Sequence, residues 1–140
     1  MTAFRRQTQI RFAHCDPAGI VFFPHYCALV NEMVEDWFAG PLGRPFRMLH
    51  VEQRMGVPTV KLEAEFVAPA RLGDPLEQTL AVTALGSSSC QLQHVASIDG
   101  AESARFSQTL AYVDLDAMRA RPWPDDLRKA MTPFLIGDAA

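Results

Sequence analysis

The residues with the clearest capacity for chemistry stand in an acidic turn that precedes an apolar segment. The turn is Asp16-Pro17-Ala18-Gly19, with Asp at the first position, Pro at the second and Gly at the fourth, as in type I turns. An Asp that opens such a turn commonly bonds a backbone N–H two residues on, so the turn pattern alone favours a structural role for Asp16. The same carboxylate is ionised at neutral pH, and it can attack a carbonyl carbon or deprotonate a water molecule.

The start of a predicted helix follows this turn and adds a second chemical group. Free N–H groups at a helix N-terminus carry partial positive charge and suit an oxyanion. Pro24 has no N–H, so the most useful donor is Phe23 or Phe22. A carboxylate that faces a carbonyl whose oxygen is held by such a donor forms an acyl-transfer site, which gives Asp16 a functional interpretation.

Three other polar positions have a structural interpretation beside a functional one. His25 lies off the apolar stripe of the helix, where exposure to solvent is the default and a cap or a pocket rim are the alternatives. Asn31 lies one position from Val30 of that stripe and can reach a substrate that enters along the helix. Residues 87–89 are three serines, and a polar turn is favoured there over a phosphate site.

The run His14-Cys15-Asp16 does not predict a Cys/His/Asp triad. In an extended strand His14 and Asp16 share a face while Cys15 points away. Triads are assembled in space from separated residues, so a packed thiol is the better interpretation of Cys15. Glu32 and Glu35 lie off the apolar face of the helix and are interpreted as solvated.

Hydrophobic periodicity predicts the elements that position these residues. Alternation over residues 7–12 predicts a strand, and residues 41–58 are predicted as mostly loop with a short helical piece near 46–54. Between them, apolar residues at three-and-four spacing predict one long helix that ends at Gly40-Pro41. The apolar stripe of this helix consists of Phe23, Tyr26, Cys27, Val30, Met33, Val34, Trp37 and Phe38.

Alternation with a period of two predicts four further strands. They lie near residues 60–66, 76–82, 90–98 and 106–112, and a short helix near 125–131 follows them. A strand, a long helix and four antiparallel strands make an α+β meander, in which a five-stranded antiparallel sheet wraps around the helix. The edge strands of such a sheet favour association with another copy.

Length and composition bound the class of protein. The 140 residues, 49% of them hydrophobic, supply one core and predict a single domain over residues 1–140. A net charge of −3 without a basic cluster argues against a nucleic-acid binder. No apolar stretch approaches the roughly 20 residues that cross a bilayer, and no secretory signal is evident. Three cysteines without framework spacing predict reduced thiols and a cytoplasmic location, and four scattered histidines predict no metal site.

One motif resembles a known family. The run Asp16-Pro17-Ala18-Gly19-Ile20-Val21-Phe22-Phe23-Pro24-His25-Tyr26 resembles the 4-hydroxybenzoyl-CoA thioesterase family of hotdog proteins. Weaker matches are Gly56-Val57-Pro58, the run from Pro69 to Asp74, Gly86 with its serines, and Arg121-Pro122-Trp123-Pro124. The resemblance implies the hotdog fold and hydrolysis of an acyl-CoA, such as an aroyl-CoA, without metal or cofactor. It also implies a homodimer, often paired into a homotetramer, with active sites at the subunit interface.

The resemblance also assigns roles by position. Asp16 is the catalytic carboxylate, acting as nucleophile or general base, and the N–H of Phe23 polarises the thioester carbonyl. Val57 and Pro58 of the partner chain line the acyl pocket near Asn31. The full set of expected substrate-binding residues is Gly19, Phe22, Pro24, His25, Asn31, Val57, Pro58, Ser88 and Ser89.

Two departures from the family pattern bear on the substrate. Asn31 stands where the aryl-specific prototype carries an acid that contacts the ring hydroxyl, and residues 86–88 replace basic residues that hold the CoA phosphates. Two alternative functions therefore stay open. One is a hotdog subunit that binds acyl-CoA or an acyl-carrier protein without turnover, and the other is a hydratase-type enzyme that uses His14 or His25 beside Asp16.

Overall fold

The computed structural model describes residues 3–136, beginning with a strand, a long helix and a short strand-containing loop. Strand β1 spans Phe4–Gln9, helix α1 spans Phe23–Ala39 and strand β2 spans Met55–Gly56. A 3-10 turn at Phe12–His14 and a π-helical turn at Arg47–Glu52 lie between them. The second turn agrees with the short helical piece predicted in this region.

The remaining chain forms strands and a short C-terminal helix. The strands are β3 Thr59–Phe66, β4 Pro75–Leu85, β5 Ser89–Ile98, β6 Ala101–Ala111, β7 Val113–Asp114 and β8 Arg119–Ala120. Helix α2 spans Asp125–Met131, as predicted, and a 3-10 turn follows at Thr132–Phe134. None of the helices within residues 3–136 is long and apolar enough to cross a membrane.

The five long strands form one antiparallel sheet in the order β1-β4-β5-β6-β3. A separate small sheet, β2-β7-β8, was not predicted because its two-residue strands are too short to show a period. The α+β class is confirmed, with five antiparallel strands and one long helix.

Helix α1 packs one face against this sheet. Its buried residues recur at the spacing of a helical face, and they are Tyr26, Leu29, Val30, Met33, Val34, Trp37 and Phe38. Two predicted members of the stripe differ, since Phe23 is 60% exposed and Cys27 is only partly buried. Phe23 is the first helical residue, and its ring packs against the exposed Phe66 of strand β3. Leu29, which was not predicted, completes the buried face.

The strand predicted over residues 7–12 is wrong in its boundaries. Strand β1 ends at Gln9, which pairs with Pro75, the first residue of β4. One further residue is still bonded, since Ile10 N–H donates to Asp74 O and Ile10 O accepts Gly73 N–H, both at 2.8 Å, and the chain then turns away. Phe12 then opens a 3-10 turn and is 81% exposed. His14 and Asp16 therefore do not lie on one strand, so the shared face that a continuous strand would give them is absent.

Strand β3 also departs from its predicted pattern. It forms an edge of the sheet, and every one of its residues is exposed in the single chain. A register shift between Thr59 and Lys61 places Thr59 opposite Leu110, where unbroken alternation would place Val60. Residues directly opposite share a face of the sheet, so Thr59 joins the inward side and Val60 is 61% exposed.

A polar pair lies on the inner face of the sheet, which also carries the buried Gln78. His94 of β5 is 4% exposed and Gln108 of β6 is 1% exposed, and His94 Nε2 lies 2.8 Å from Gln108 Oε1. The amide oxygen only accepts, so His94 Nε2 donates. Burial lowers the pKa of His94 to about 4, and the hydrogen bond to Gln108 opposes that shift only in part.

We expect this histidine to make folding sensitive to mild acid. An unfolded His titrates near 6.5, so between pH 6.5 and 4 the unfolded chain binds a proton that the folded chain excludes. The free energy of unfolding then has its full value above pH 6.5 and falls by about 3 kcal/mol toward pH 4. Urea unfolding of wild type and His94→Gln across this range measures the effect. Parallel pH profiles for the two proteins would contradict it.

Candidate active site

The Asp16 turn has the hydrogen bonds that its sequence predicts. Gly19 N–H donates to Asp16 O at 3.0 Å, and Ala18 N–H donates to Asp16 Oδ1 at 2.8 Å. Gly19 has φ +77° in open space, so its backbone conformation explains the glycine. Asp16 is half-buried, and its Oδ2 meets no hydrogen-bond donor within residues 3–136. One carboxylate oxygen thus holds the turn and the other is free.

Main-chain pairing fixes this turn against the start of α1. Asp16 N–H donates to Ile20 O at 2.9 Å, and Phe22 N–H donates to His14 O at 3.0 Å. Cys15 and Val21 form an antiparallel bridge between these two bonds. The segments before and after the turn therefore run side by side into the helix, which brings the Asp16 loop to its N-terminus.

The first turn of α1 leaves one amide available. Phe22 N–H is bonded to His14 O, Pro24 has no N–H, and His25 N–H donates to Phe22 O at 2.8 Å. Phe23 N–H has no hydrogen-bond partner among the described residues. Of the two donors that the sequence left open, Phe22 is thus already bonded and Phe23 is free. Its helix N-terminal position gives this N–H a partial positive charge.

His25 supports the loop from the helix side. Its Nδ1 lies 2.8 Å from His14 O, and because a carbonyl only accepts, Nδ1 carries the hydrogen. The His25 ring also packs edge-on against Phe22. The structure therefore gives His25 a structural contact, and its substrate-binding role stays a prediction.

An apolar groove opens beside the helix start. This helix-start groove has a volume of about 260 Å³ and is lined by Ile20, Phe23, Tyr26, Phe66, Val67 and Pro69, among others. Phe22 and Phe23 have exposed side chains at this end of α1. The Phe23 amide thus lies beside apolar surface that a substrate can cover.

A second and larger space lies along the middle of α1. This mid-helix cavity has a volume of about 380 Å³, and its wall includes Asn31, Glu35, His50, Val57, Pro58 and Thr59. The structure thus brings Asn31 together with Val57 and Pro58 of the same chain, whereas the predicted acyl pocket takes Val57 and Pro58 from the partner chain, and their substrate-binding role stays a prediction. Neither Asp16 nor Phe23 lines it. Phe23 and Asn31 are eight residues apart on the helix, which is about 12 Å.

The predicted serine pair lies far from Asp16 within one chain. Ser88 and Ser89 lie at the turn after β4, whereas the Asp16 loop contacts the segment just before β4, where Leu72 N–H donates to Gly19 O. Ten residue steps of β4 separate these two ends by roughly 33 Å. Ser88 O and Ser89 O accept bonds from Tyr112 N–H and Trp123 Nε1–H. A substrate-binding role for these serines beside Asp16 therefore requires another copy of the chain.

Three polar residues of the mid-helix cavity were not predicted from the sequence. His50, Thr59 and Gln108 all line it. For Gln108 a signal was present, because a polar residue interrupts the apolar inward positions of β6. No comparable signal marked His50 or Thr59. Within residues 3–136 no group of three or more His, Cys, Asp or Glu side chains converges in a way that could hold a metal ion.

The comparison with known families agrees with the motif. The sequence profile of the thioesterase-like superfamily matches residues 10–131, which covers most of the chain. The protein therefore belongs to the thioesterase-like superfamily, and its five-stranded sheet with one long helix is a hotdog fold, as the resemblance implied.

Two curated relatives illustrate this membership. The 4-hydroxybenzoyl-CoA thioesterase of a Pseudomonas species is 38% identical over 71 residues, which span half of this chain and half of that protein. The 1,4-dihydroxy-2-naphthoyl-CoA hydrolase of Thermosynechococcus vestitus is 29% identical over 122 residues, covering 86% of this chain and 83% of that protein.

Solved structures share the fold across nearly the whole length. A thioesterase-superfamily protein from Jannaschia has a TM-score of 0.88 at 25% identity, with 97% of this chain and 95% of that chain covered. A gentisyl-coenzyme A thioesterase has a TM-score of 0.83 at 24% identity, with 91% and 99% covered. At these identities the likeness establishes the fold.

Proposed function

We propose that the protein hydrolyses an aroyl-CoA, or a related acyl-CoA thioester, to the free acid and CoA. The observation that carries this proposal is the pairing of a half-buried carboxylate with a helix start that retains one free amide. Asp16 has an uncommitted oxygen, and Phe23 has an uncommitted N–H. Family membership and relatives named for hydroxylated aroyl-CoA substrates support the same reaction class.

The chemistry follows from these two groups. The thioester carbonyl oxygen accepts the Phe23 N–H, which stabilises the negative charge that develops there during attack. Asp16 either attacks the carbonyl carbon, forming a mixed anhydride that water then hydrolyses, or removes a proton from the attacking water. The C–S bond breaks and CoA leaves as a thiolate. Because a thiolate is a good leaving group, no strong general acid is needed.

We propose further that the site is completed by a second copy of the chain, in a homodimer that can pair again into a homotetramer. Asp16 and Phe23 lie outside the mid-helix cavity of their own chain, so an acyl group that occupies such a cavity with its thioester at Asp16 uses the cavity of a partner. The exposed edge strand β3 supports this, because it presents apolar Val60, Leu62 and Phe66 beside unpaired backbone groups. The predictions of a single domain over residues 1–140 and of a cytoplasmic location stay predictions.

The carboxylate is tested by Asp16→Asn. We expect thiol release from aroyl-CoA to fall by about 10²- to 10⁴-fold, because the variant lacks a nucleophile or base. An asparagine oxygen can still accept the Ala18 N–H, so the melting temperature should not change. Asp99→Asn, on the exposed β5–β6 turn, is the matched control and should keep full activity.

Two results would count against the role of Asp16. Full thiol release by Asp16→Asn would remove the carboxylate from the reaction. Saturable acyl-CoA binding by the wild type without thiol release would instead favour a binding subunit.

The backbone donor is tested by Phe23→Pro beside Phe23→Ala. Proline is tolerated in the first helical turn and removes only the N–H and the side chain, whereas alanine removes the side chain alone. We expect kcat to fall about 10²- to 10³-fold further in the proline variant than in the alanine variant. Equal kcat values for the two variants would show that this amide does not bind the oxyanion.

Sharing of the site is tested by complementation between two inactive variants. Asp16→Asn lacks the carboxylate, and Asn31→Trp fills the mid-helix cavity from an exposed helix position. If each site uses two chains, a mixed dimer contains one intact site, so co-refolding equal amounts should restore about a quarter of wild-type activity. If each site lies within one chain, the mixture should stay as inactive as its components.

A further inference from the structure

A line of hydrogen bonds runs from the buried side of the sheet to the mid-helix cavity. His94 Nε2–H donates to Gln108 Oε1 at 2.8 Å, and Gln108 Nε2–H donates to Thr59 Oγ1 at 2.9 Å. His94 and Gln108 are buried, whereas Thr59 is exposed at the cavity wall. Buried polar groups of this kind disfavour folding unless they are paired, so their arrangement calls for a physical reason.

The tautomer of His94, at the buried end, fixes which atom donates in each of these hydrogen bonds. His94 Nδ1 has no hydrogen-bond partner, and it lies beside a void of about 10 Å³, at the lower limit for one water. An unpaired acceptor is tolerated in such a place better than an unpaired N–H. His94 therefore carries its hydrogen on Nε2, and Gln108 turns its oxygen to His94 and its NH₂ to Thr59.

This direction decides what Thr59 presents to the cavity. Its Oγ1 accepts from Gln108, and its own O–H makes no hydrogen bond within residues 3–136. The hydroxyl hydrogen of Thr59 is therefore free to donate into the cavity. A serine or threonine hydroxyl can both donate and accept, but here the acceptor side faces the glutamine.

The mid-helix cavity also contains a hydrogen-bond acceptor, which is Nε2 of His50. His50 Nδ1 lies 3.1 Å from Phe46 O, and because a carbonyl only accepts, Nδ1 carries the hydrogen of the neutral ring. This leaves Nε2 as an acceptor, and the ring is held edge-on against Phe46. The lining of the mid-helix cavity thus includes a donor at Thr59 and an acceptor at His50, beside apolar side chains and the polar residues Asn31, Glu32 and Glu35.

We propose that Thr59, oriented by Gln108 and His94, is a specificity-determining residue that selects acyl groups with an oxygen substituent on the ring. A ring hydroxyl offers an oxygen that accepts from Thr59, and His50 is a further acceptor in the cavity for a hydroxyl hydrogen. An unsubstituted ring leaves these polar groups unpaired as it displaces water from them, which disfavours its binding. This inference rests on the proposed function for its substrate class, aroyl-CoA.

Binding of two thioethers that cannot be hydrolysed tests this directly. The probes are 4-hydroxyphenacyl-CoA and phenacyl-CoA, which differ by the ring hydroxyl, and their Kd values are measured by calorimetry. We expect the wild type to prefer the hydroxylated probe by about tenfold or more. Thr59→Val keeps the side-chain shape but lacks the O–H, so it should reduce this ratio to near one. Thr109→Val makes the same change at the next residue from Gln108 on β6, on the other face of the sheet, and should keep the preference.

The orienting role of Gln108 is tested by Gln108→Glu. The introduced carboxylate accepts from both His94 Nε2–H and Thr59 O–H, so it turns the Thr59 hydrogen away from the cavity. We expect the preference for the hydroxylated probe to disappear although Thr59 is unchanged. The Kd ratio is the readout, because general destabilisation weakens binding of both probes alike.

The outcomes separate this inference from the proposed hydrolysis. It is overturned if the wild type shows no preference between the probes, or if Thr59→Val keeps the preference. Rapid thiol release from aroyl-CoA with a Kd ratio near one would uphold hydrolysis and remove the role of Thr59. A preference that depends on Thr59, without thiol release from any thioester, would uphold the recognition and remove the hydrolysis.

Discussion

Burial of helix α1 against one face of the sheet constrains every part of the candidate site. Met33, Trp37 and Phe38 are fully buried there, and burial of each such side chain stabilises the fold by about 1.5 to 3 kcal/mol. This packing fixes the rotation of the helix about its axis. The fixed rotation places Asn31 on the mid-helix cavity and leaves the side chain of Phe23 exposed at the helix start. The N-terminal amide of Phe23 can then meet a substrate without disturbing the core.

Hydrogen bonds to one main-chain carbonyl hold the Asp16 turn against the start of helix α1. His14 O accepts both Phe22 N–H and His25 Nδ1–H, so one carbonyl connects the residues before the Asp16 turn to the first turn of α1. Pro24 removes another competing donor from the same place. The combined effect is an arrangement held in place by the backbone, in which one carboxylate oxygen and one amide stay unpaired, as the proposed reaction requires.

The fold class, the turn at Asp16 and the missing N–H of Pro24 could be predicted from local sequence patterns. Alternation and helical spacing predicted the α+β class, the extent of α1 and helix α2, because each of these is written within one stretch of sequence. The turn at Asp16 and the missing N–H of Pro24 were equally visible, since turn geometry depends on neighbouring residues. The predicted boundaries were wrong where the chain turns through contacts with a distant segment, as after Gln9, where Ile10 bonds to Gly73 and Asp74 before β4.

What the sequence by itself determined is the pairing of an acidic turn with a helix start, together with the sheet that must cover that helix. Only the tertiary structure decided which amide is free, which side of β3 faces inward and which groups line the mid-helix cavity. Phe22 was eliminated as a donor by a bond to His14, and Thr59 was turned inward by a bulge against β6. These outcomes depend on contacts between segments distant in sequence, such as Gln108 with Thr59, which no local period encodes.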